Sequence, residues 1–394
     1  FYALNPDGTR NPNYPVLVDV DNLIDQMLVV FFGGDRDAPV SNFLSNLSPN
    51  NFYALRDRNG QRGFVFPLHD AEHTLRMGMD SRIGPWPAGK DAINKSQSQY
   101  IHQQMMAYPE YRMRFADRAH KYLMNEGLLT SNVARARFQA LADQISMAII
   151  AESARWGDAH SSRTTNPLTK DHWVTCINNE LSWISSRGAT VLSQLRSTTL
   201  PGNSLGANNQ WINGALAPLY PSVAAPVFRN MAGTVQHGGQ VDPGFALRMD
   251  VPSGQIFYYS LDGTDPRLPG GAVNPSPSVK VYTGLVVLDK STRVMARAYS
   301  PATRVWSALN EAWFYVGRPA AAGNLVITEL NYNPHDPTPE ELAINPNWDH
   351  DSFEFIELYN PTTYPIDLTG ATFDKGITFD FSTAAIRELK PGEF

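Results

Sequence analysis

Residues 63–75, GFVFPLHDAEHTL, join an apolar run to four side chains that bind metals well. The run GFVFPL has the composition of a β-strand, and His69, Asp70, Glu72 and His73 follow it directly. The pattern H-x-x-E-H is typical of zinc peptidases, in which two histidines bind zinc and a glutamate activates water. An acid pair at positions i and i+2 after a strand is instead typical of a magnesium site. The choice between a zinc site and a magnesium site depends on the secondary structure of this stretch and on the other ligands that the chain offers.

The zinc alternative requires a helix over residues 69–73, because only a helix brings His69 and His73 to the same ion. The β-like run and Pro67 precede this stretch and oppose a helix there. No downstream glutamate stands out as a third ligand. The sequence therefore favours an oxygen-ligand site at Asp70 and Glu72, with a zinc hydrolase as the outside alternative.

The length of 394 residues predicts two or three domains, and a hydrophobic content of 42% is enough for a packed core in each of them. The net charge is -6 and no basic block stands out, so we expect no nucleic-acid partner. No apolar run approaches about 20 residues, which predicts no membrane span. Cys176 is the single cysteine and excludes an intrachain disulfide. Its surroundings predict a small core residue on a helix.

Residues 1–200 are predicted to be mixed at first and mostly helical later. Two short strands over residues 51–68 are expected to meet at Asn59-Gly60, a strong hairpin signal. Apolar spacing and flanking glycines predict helices over residues 16–32 (ending at Gly33-Gly34), 109–127, 131–157, 171–187 and 188–197.

Two β-rich regions follow. Residues 201–216 have the composition of a linker, and residues 217–317 contain six short alternating runs separated by turn residues, which predicts a β-sandwich. Residues 318–324 are a second predicted linker. Residues 325–394 contain three more strand-like runs, LVITELNYNP, FEFIELYNPT and PIDLTGATF. About 70 residues are few for a closed sandwich, so we expect this one to be incomplete and the chain to be a fragment of a longer protein.

These segments resemble three known families. The first region resembles the C-terminal part of the spore-coat protein H (CotH) kinase-like family, through DVDNLIDQMLV, GGDRDAPVSNF, NNFYALRDRNG and GFVFPLHDAEHTL. The second resembles the chitobiase/β-hexosaminidase C-terminal-like domain, through IFYYSLDGTDPR and STRVMARAYS. The third resembles a lamin-tail domain, through LVITELNYNP, EFIELYNPT and LKPGEF. The resemblance implies a multidomain α+β protein, with a mostly helical kinase-like C-terminal lobe followed by two immunoglobulin-like β-sandwiches.

The kinase-like resemblance also implies a set of site residues. Asp37 takes the place of the catalytic aspartate, which accepts the proton of the substrate hydroxyl. The family's metal-binding asparagine corresponds either to Asn42, five residues later, or to Asn51 in the string NNFY, which is slightly favoured. Asp70 takes the place of the magnesium-binding aspartate of a W-D-x-D motif, with Glu72 as the second acid. The tryptophan of that motif is replaced here by Leu68-His69.

Two further parts of a kinase site are missing from this sequence. No lysine precedes Asp37, since the first one in the chain is Lys90, and no glycine-rich phosphate loop is present. A kinase needs both to hold the phosphates of ATP. Binding of ATP and Mg²⁺ would therefore require an N-terminal lobe that this chain lacks. We expect a structural, adhesive or assembly module on a kinase-like scaffold, and an active CotH-type protein kinase is the alternative.

The β regions carry weaker signals. Asp262 and Asp265 are candidate Ca²⁺ ligands, although an Asp-rich turn that binds its own backbone is favoured. Trp306, Trp313 and Tyr258 are candidates for a glycan-binding platform, although aromatic core packing is favoured. An incomplete third sandwich would leave a strand edge open to a protein partner or to a second copy. The domain combination implies an extracellular or cell-surface bacterial protein, with glycan or cell-wall material as a further candidate partner.

Overall fold

The computed structural model describes residues 11–46, 48–56, 58, 62–75, 81–84, 97–106, 108–159, 161–163, 165–197, 218–362 and 365–394. Within these ranges the chain has a mixed α+β fold with seven α-helices and several small β-sheets. No helix in this part of the chain is long and apolar enough to cross a membrane. The predicted linker 201–216, the hairpin turn Asn59-Gly60 and Lys90 lie outside the described residues.

Helix α1, Val20–Gly33, is the centre of the first unit. The Asp19 side chain accepts a hydrogen bond from the Asn22 backbone N–H and caps its first turn. Gly34 follows in the left-handed conformation, with φ of 64°, and ends the helix. Apolar residues on several sides of α1 are buried, among them Leu23, Ile24 and Met27. The prediction of a helix that ends at Gly33-Gly34 is confirmed.

Three other helices contribute to the same core: α2, Ser98–Met105; α3, Pro109–Leu123; and α6, Lys170–Arg196. Helix α3 confirms the predicted helix after Pro109. Next to it lies His102, a fully buried histidine of α2 whose Nδ1 is 2.6 Å from the hydroxyl oxygen of Tyr111. Burial lowers the pKa of His102 to about 3, so this ring is neutral at pH 7 and serves as a polar contact within the core.

Two of the predicted helix boundaries are wrong. The segment 131–157 forms two helices, α4, Ser131–Ile145, and α5, Ala148–Trp156, because the backbone between them changes to a tighter hydrogen-bonding pattern. There Ser146 N bonds to Asp143 O at 3.3 Å. Conversely, the predicted helices 171–187 and 188–197 are one continuous helix, α6. Gly188 lies inside α6, where a Cβ atom would be 3.2 Å from the Leu129 carbonyl oxygen, so this glycine serves a close contact and does not end the helix.

The prediction that Cys176 is a core residue is also wrong, because its side chain is exposed. Helices α4 and α5 pack against α6, but Ala142 is the single buried residue of α4, and no residue of α5 is buried. The first buried residue of α6 is Leu181. Cys176 thus lies on a helical arm that extends from the main core, and a helical pattern alone does not reveal whether a helix is covered.

The second unit is built on a six-stranded sheet. Its strands are β1, Gly239–Val241; β3, Ile256–Ser260; β4, Lys280–Val281; β6, Thr292–Ser300; β7, Val305–Trp306; and β8, Asn310–Val316. The order is β1-β8-β6-β3-β4, with β7 beside β6. A separate pair, β2, Phe245–Leu247, and β5, Val286–Leu288, shares one buried core with this sheet. All six predicted strand-like runs form strands.

The third unit consists of three small sheets and one short helix, α7, Pro339–Ile344. Strands β10, Val326–Asn331, and β11, Phe355–Tyr359, pair antiparallel. Strand β12, Ile366–Asp367, lies between β9, Arg318–Pro319, and β15, Glu388–Leu389. Strands β13, Thr372–Phe373, and β14, Phe379–Asp380, form the last pair. The three predicted runs all contain strands, around a small core of Ile366, Leu368 and Leu389.

A buried guanidinium joins the first two units. Arg297 of β6 donates two hydrogen bonds of 2.7 Å to the carboxylate of Asp117 on α3, and two more of 2.7 Å to Asp265 in its own unit. Asp117 also accepts the backbone N–H of Leu309 at 2.8 Å. Beside this group, Arg267 donates to both carboxylate oxygens of Glu110, at 2.6 and 2.7 Å. The first, helical unit and the second unit, hereafter the first β unit, therefore share an interface that paired charges hold together.

The Arg297→Ala substitution is expected to lower the free energy of unfolding by about 3–5 kcal/mol, because it leaves Asp117 and Asp265 without their buried partner. The matched control is Arg248→Ala, which breaks an exposed ion pair with Asp250 and should cost no more than about 1 kcal/mol. Urea denaturation of both variants measures the difference. Equal losses of stability would show that Arg297 does not hold the interface together.

Candidate functional site

The candidate site begins where helix α1 ends. Arg187 of α6 is fully buried and donates to the carbonyl oxygens of Phe31 and Phe32, at 2.5 and 2.8 Å. These carbonyls belong to the last turn of α1, where a positive charge is favourable for the helix dipole. Arg187 thereby fixes the end of α1, and with it the position at which the loop from Gly34 begins.

Asp35 shapes the first turn of this loop. Its side chain is buried, and its Oδ1 accepts the backbone N–H groups of Asp37 and Ala38 at 2.9 and 3.1 Å. Such a turn, closed by an aspartate side chain, reverses the chain within a few residues. Burial raises the pKa of the Asp35 carboxyl above its ordinary value, although these two N–H groups favour its charged form.

Asp37 is the centre of the site. Its carboxylate is buried and accepts hydrogen bonds on both oxygens. The Ser41 hydroxyl donates to Oδ1, and the side-chain amides of Asn50 and Asn51 each donate to Oδ2 at 3.0 Å. Asp37 therefore ties the loop after α1 to the segment around residue 50.

Residues 73–75 form a third segment, and backbone hydrogen bonds join it to the end of α1 and to the loop that follows. Leu75 N bonds to the Gly33 carbonyl at 2.8 Å, and Arg36 N bonds to the His73 carbonyl at 3.3 Å. These contacts bring Glu72 and His73 to Asp37, so that one ligand atom from each of the three side chains lies within 4.8 Å of the others. Within the described parts of the chain, no other group of three metal-ligating side chains is as close together.

Of the predicted site residues, the structure brings Asn51 and Glu72 to Asp37, but not the side chains of Asn42 and Asp70. Asn51 contacts Asp37, whereas the side-chain oxygen of Asn42 accepts from Asn46 at 3.4 Å. Asp70 is exposed and contributes its backbone carbonyl, which accepts from the Asn51 amide at 3.4 Å. Its carboxylate is not part of the three-residue group, and Glu72 of the predicted acid pair is.

The helix required for the zinc-peptidase pattern is not formed. Leu68 pairs with Phe52 in an antiparallel bridge, and a turn at residues 72–73 follows. His69 packs its ring edge-on against Tyr53, with 4.6 Å between the ring centroids. His73 packs against Phe43 instead. His69 and His73 thus do not lie one helical turn apart.

Two contributors, Ser41 and Asn50, lay outside the set inferred from the sequence, and His73 was inferred only as a zinc ligand together with His69. Ser41 lies four residues after Asp37, and Asn50 is adjacent to the predicted Asn51, so local spacing was the available signal for both. The donor set contains two carboxylates and one imidazole. Imidazole and carboxylate together suit Zn²⁺, Fe²⁺ or Mn²⁺ better than Mg²⁺, which takes oxygen ligands. The residues therefore fit a divalent transition metal.

The candidate sites of the first β unit have internal partners. Asp262 accepts the backbone N–H of Thr264 at 3.0 Å, and Asp265 accepts that of Arg267 at 2.9 Å as well as the Arg297 side chain. The aromatic residues do not form one platform. Trp306 is buried, and its ring centroid lies 5.5 Å from that of Tyr258. Trp313 stacks on Tyr315.

A second candidate surface lies in the third unit. It is an apolar groove of about 610 Å³, here called the β11 groove. One wall is formed by residues 355–358 of strand β11. The other is formed mainly by apolar side chains from the segments around β13, β14 and β15, among them Phe373, Ile377, Phe379, Ile386 and Phe394. Ile386 and Phe394 are each 66% exposed. Contiguous exposed apolar surface of this kind marks binding sites.

A comparison of this chain with protein-family models, with curated proteins and with solved structures found no significant match.

The Asp37→Ala substitution is expected to lower the free energy of unfolding by about 1–3 kcal/mol, because it leaves the Ser41 hydroxyl and two asparagine amides without their acceptor. The control is Asp70→Asn, which replaces an exposed side chain at a left-handed position that asparagine tolerates and should change stability by less than about 0.5 kcal/mol. Thermal and urea unfolding give both values. If Asp37→Ala were neutral, Asp37 would not be the residue that joins the three segments.

Proposed function

We propose that this chain is a structural and assembly module of a bacterial secreted or cell-surface protein. In this proposal a kinase-like helical scaffold carries two immunoglobulin-like β-sandwiches, as the resemblance to the CotH, chitobiase C-terminal and lamin-tail families implies. Binding to protein partners, to further copies or to cell-wall glycan is then its activity. The observation that carries the proposal is the β11 groove, whose lining is apolar apart from Glu357 and whose rim is exposed.

The state of Asp37 gives further support. A general base has to reach a substrate hydroxyl, whereas the Asp37 carboxylate is buried and accepts hydrogen bonds from Ser41, Asn50 and Asn51. These three hydrogen bonds use most of the acceptor positions of the carboxylate. The same side chain also connects three segments of the scaffold, which suits a structural residue.

Association and catalysis can be measured on the same sample. We expect the chain to associate with itself in sedimentation velocity, or to co-sediment with a bacterial cell-wall fraction that retains its bound proteins, while it transfers no phosphate from ATP to protein hydroxyls. A chain that stays monomeric and remains in the supernatant would contradict the proposal. Phosphate transfer that depends on Asp37 would replace it with the kinase alternative.

A metal-dependent phosphoryl-transfer enzyme is the second candidate function, and the convergence of Asp37, Glu72 and His73 favours it. Asn51 beside Asp37 also fits the family's metal-binding asparagine. When bound, a divalent ion would neutralise charge on phosphate oxygens. ATP would need further residues to hold its phosphates, as the resemblance implies.

Metal content of the purified chain, with and without ATP, tests this second candidate. We expect His73→Ala and Glu72→Gln to weaken Mn²⁺ or Zn²⁺ binding by at least about tenfold, because the first removes a ligand and the second replaces a charged ligand with a neutral one. His69→Ala is the matched control and should leave binding unchanged, since His69 lies against Tyr53 and outside the group. Equal effects of the two histidine variants would contradict the assignment. Retention of the metal only together with ATP would favour phosphoryl transfer.

A further inference from the structure

The β11 groove runs along the edge of a strand. Four consecutive residues of β11, Phe355 to Leu358, line it. Successive side chains of a strand point to opposite faces, so a groove that touches four in a row follows the strand's edge. Strand β10 pairs with one edge of β11, and among the described residues no strand pairs with the other. The N–H and C=O groups along that second edge can accept an added strand.

The charge at this edge is negative. Glu357 lines the groove, and it lies directly opposite Glu329 across the β10–β11 pair. Like charges at directly opposed positions destabilise a sheet. Within the described residues neither glutamate forms a salt bridge with Lys, Arg or His, and Glu357 accepts a hydrogen bond from the Thr328 hydroxyl at 2.7 Å. A cationic side chain beside Glu357 would relieve this repulsion.

The third unit, apart from its strand β9, is strongly acidic. Residues 325–394 contain 13 Asp and Glu and 3 Lys and Arg, which gives a net charge of -10. The complete chain has a net charge of -6, so the remaining residues carry +4. Two third units brought face to face would therefore repel each other, whereas a cationic partner would be attracted.

We propose that the β11 groove binds an extended segment of a partner protein in which apolar residues alternate with Lys or Arg. The segment adds as a strand along the free edge of β11. Its backbone pairs with that edge, its apolar side chains enter the groove beside Ile377 and Ile386, and a cationic side chain lies next to Glu357. This inference rests on the proposed assembly function and specifies the class of partner.

Synthetic peptides test the inference on the full chain. The probe is a nine-residue peptide of alternating valine and lysine, blocked at both ends. The comparison peptides replace lysine with glutamate, or valine with serine. We expect the valine–lysine peptide to bind at least tenfold tighter than either comparison peptide, and its binding to weaken as NaCl rises from about 50 to 500 mM. Within residues 355–358 it should protect from hydrogen exchange the backbone amides that point away from β10.

Matched variants locate the site. Ile377→Ser with Ile386→Ser removes apolar contacts in the groove and should weaken binding at least tenfold. Ile344→Ser is the control, since Ile344 is also exposed in the third unit but does not line the groove. Glu357→Gln should reduce both the affinity and its salt dependence, whereas Glu340→Gln on α7 should change neither. If the backbone amides of α7 and of the sheets remain protected from hydrogen exchange in all four variants, then all four variants fold.

Each remaining outcome contradicts the inference in a recognisable way. Equal binding of the valine–glutamate peptide would show that charge does not select the partner. Equal binding of the serine–lysine peptide would reveal attraction to the acidic surface without use of the groove. Self-association that the groove variant abolishes, without peptide binding, would identify a second copy as the occupant and leave the assembly function intact. Absence of both peptide binding and any association would remove the inference and the proposed function together.

Discussion

The buried guanidinium of Arg297 is the constraint on which the relation between the first two units depends. A charge this deeply buried is costly unless it is paired and hydrogen-bonded. Here Asp117 and Asp265 supply that pairing, one from each unit, with four hydrogen bonds of 2.7 Å. The first and second units therefore satisfy a shared polar requirement, because Arg297 has one carboxylate partner in each of them. Asp117 also holds Leu309, so the chain leading into β8 is fixed from the same point.

The candidate site depends on a second buried arginine. Arg187 binds the last carbonyls of α1, and the loop that follows carries Asp35 and Asp37. Asp37 gathers Ser41, Asn50 and Asn51, while backbone hydrogen bonds attach residues 73–75 to the end of α1. The outcome is a compact polar cluster in which Glu72 and His73 face Asp37. The two asparagine amides and the Ser41 hydroxyl thus hold the Asp37 carboxylate that the other two side chains approach.

The first and third units differ in their surface chemistry. The polar cluster in the first unit is largely satisfied by its own hydrogen bonds, whereas the third unit exposes apolar side chains beside an unpaired strand edge. It also concentrates negative charge, at -10 over residues 325–394. In the binding of a partner, apolar surface provides affinity, an unpaired strand edge sets the orientation of the added chain, and charge selects among partners. These properties together make the third unit the better candidate for contact with other molecules.

Local sequence determined the elements of this protein. Helical spacing and two glycines located α1 and its end, and alternation with turn residues located the strands of both β units, because these signals act within a few residues. The sequence also predicted Asp37, Asn51 and Glu72 as site residues. Only the tertiary structure decided that Gly188 lies within one long helix and that Cys176 is exposed, since both depend on what packs against α6. The tertiary structure alone placed His73 beside Asp37. It also brought Asn51, which the sequence only slightly favoured over Asn42, into contact with Asp37 across 14 positions of the chain. Long-range packing, rather than residue type, fixes such neighbours.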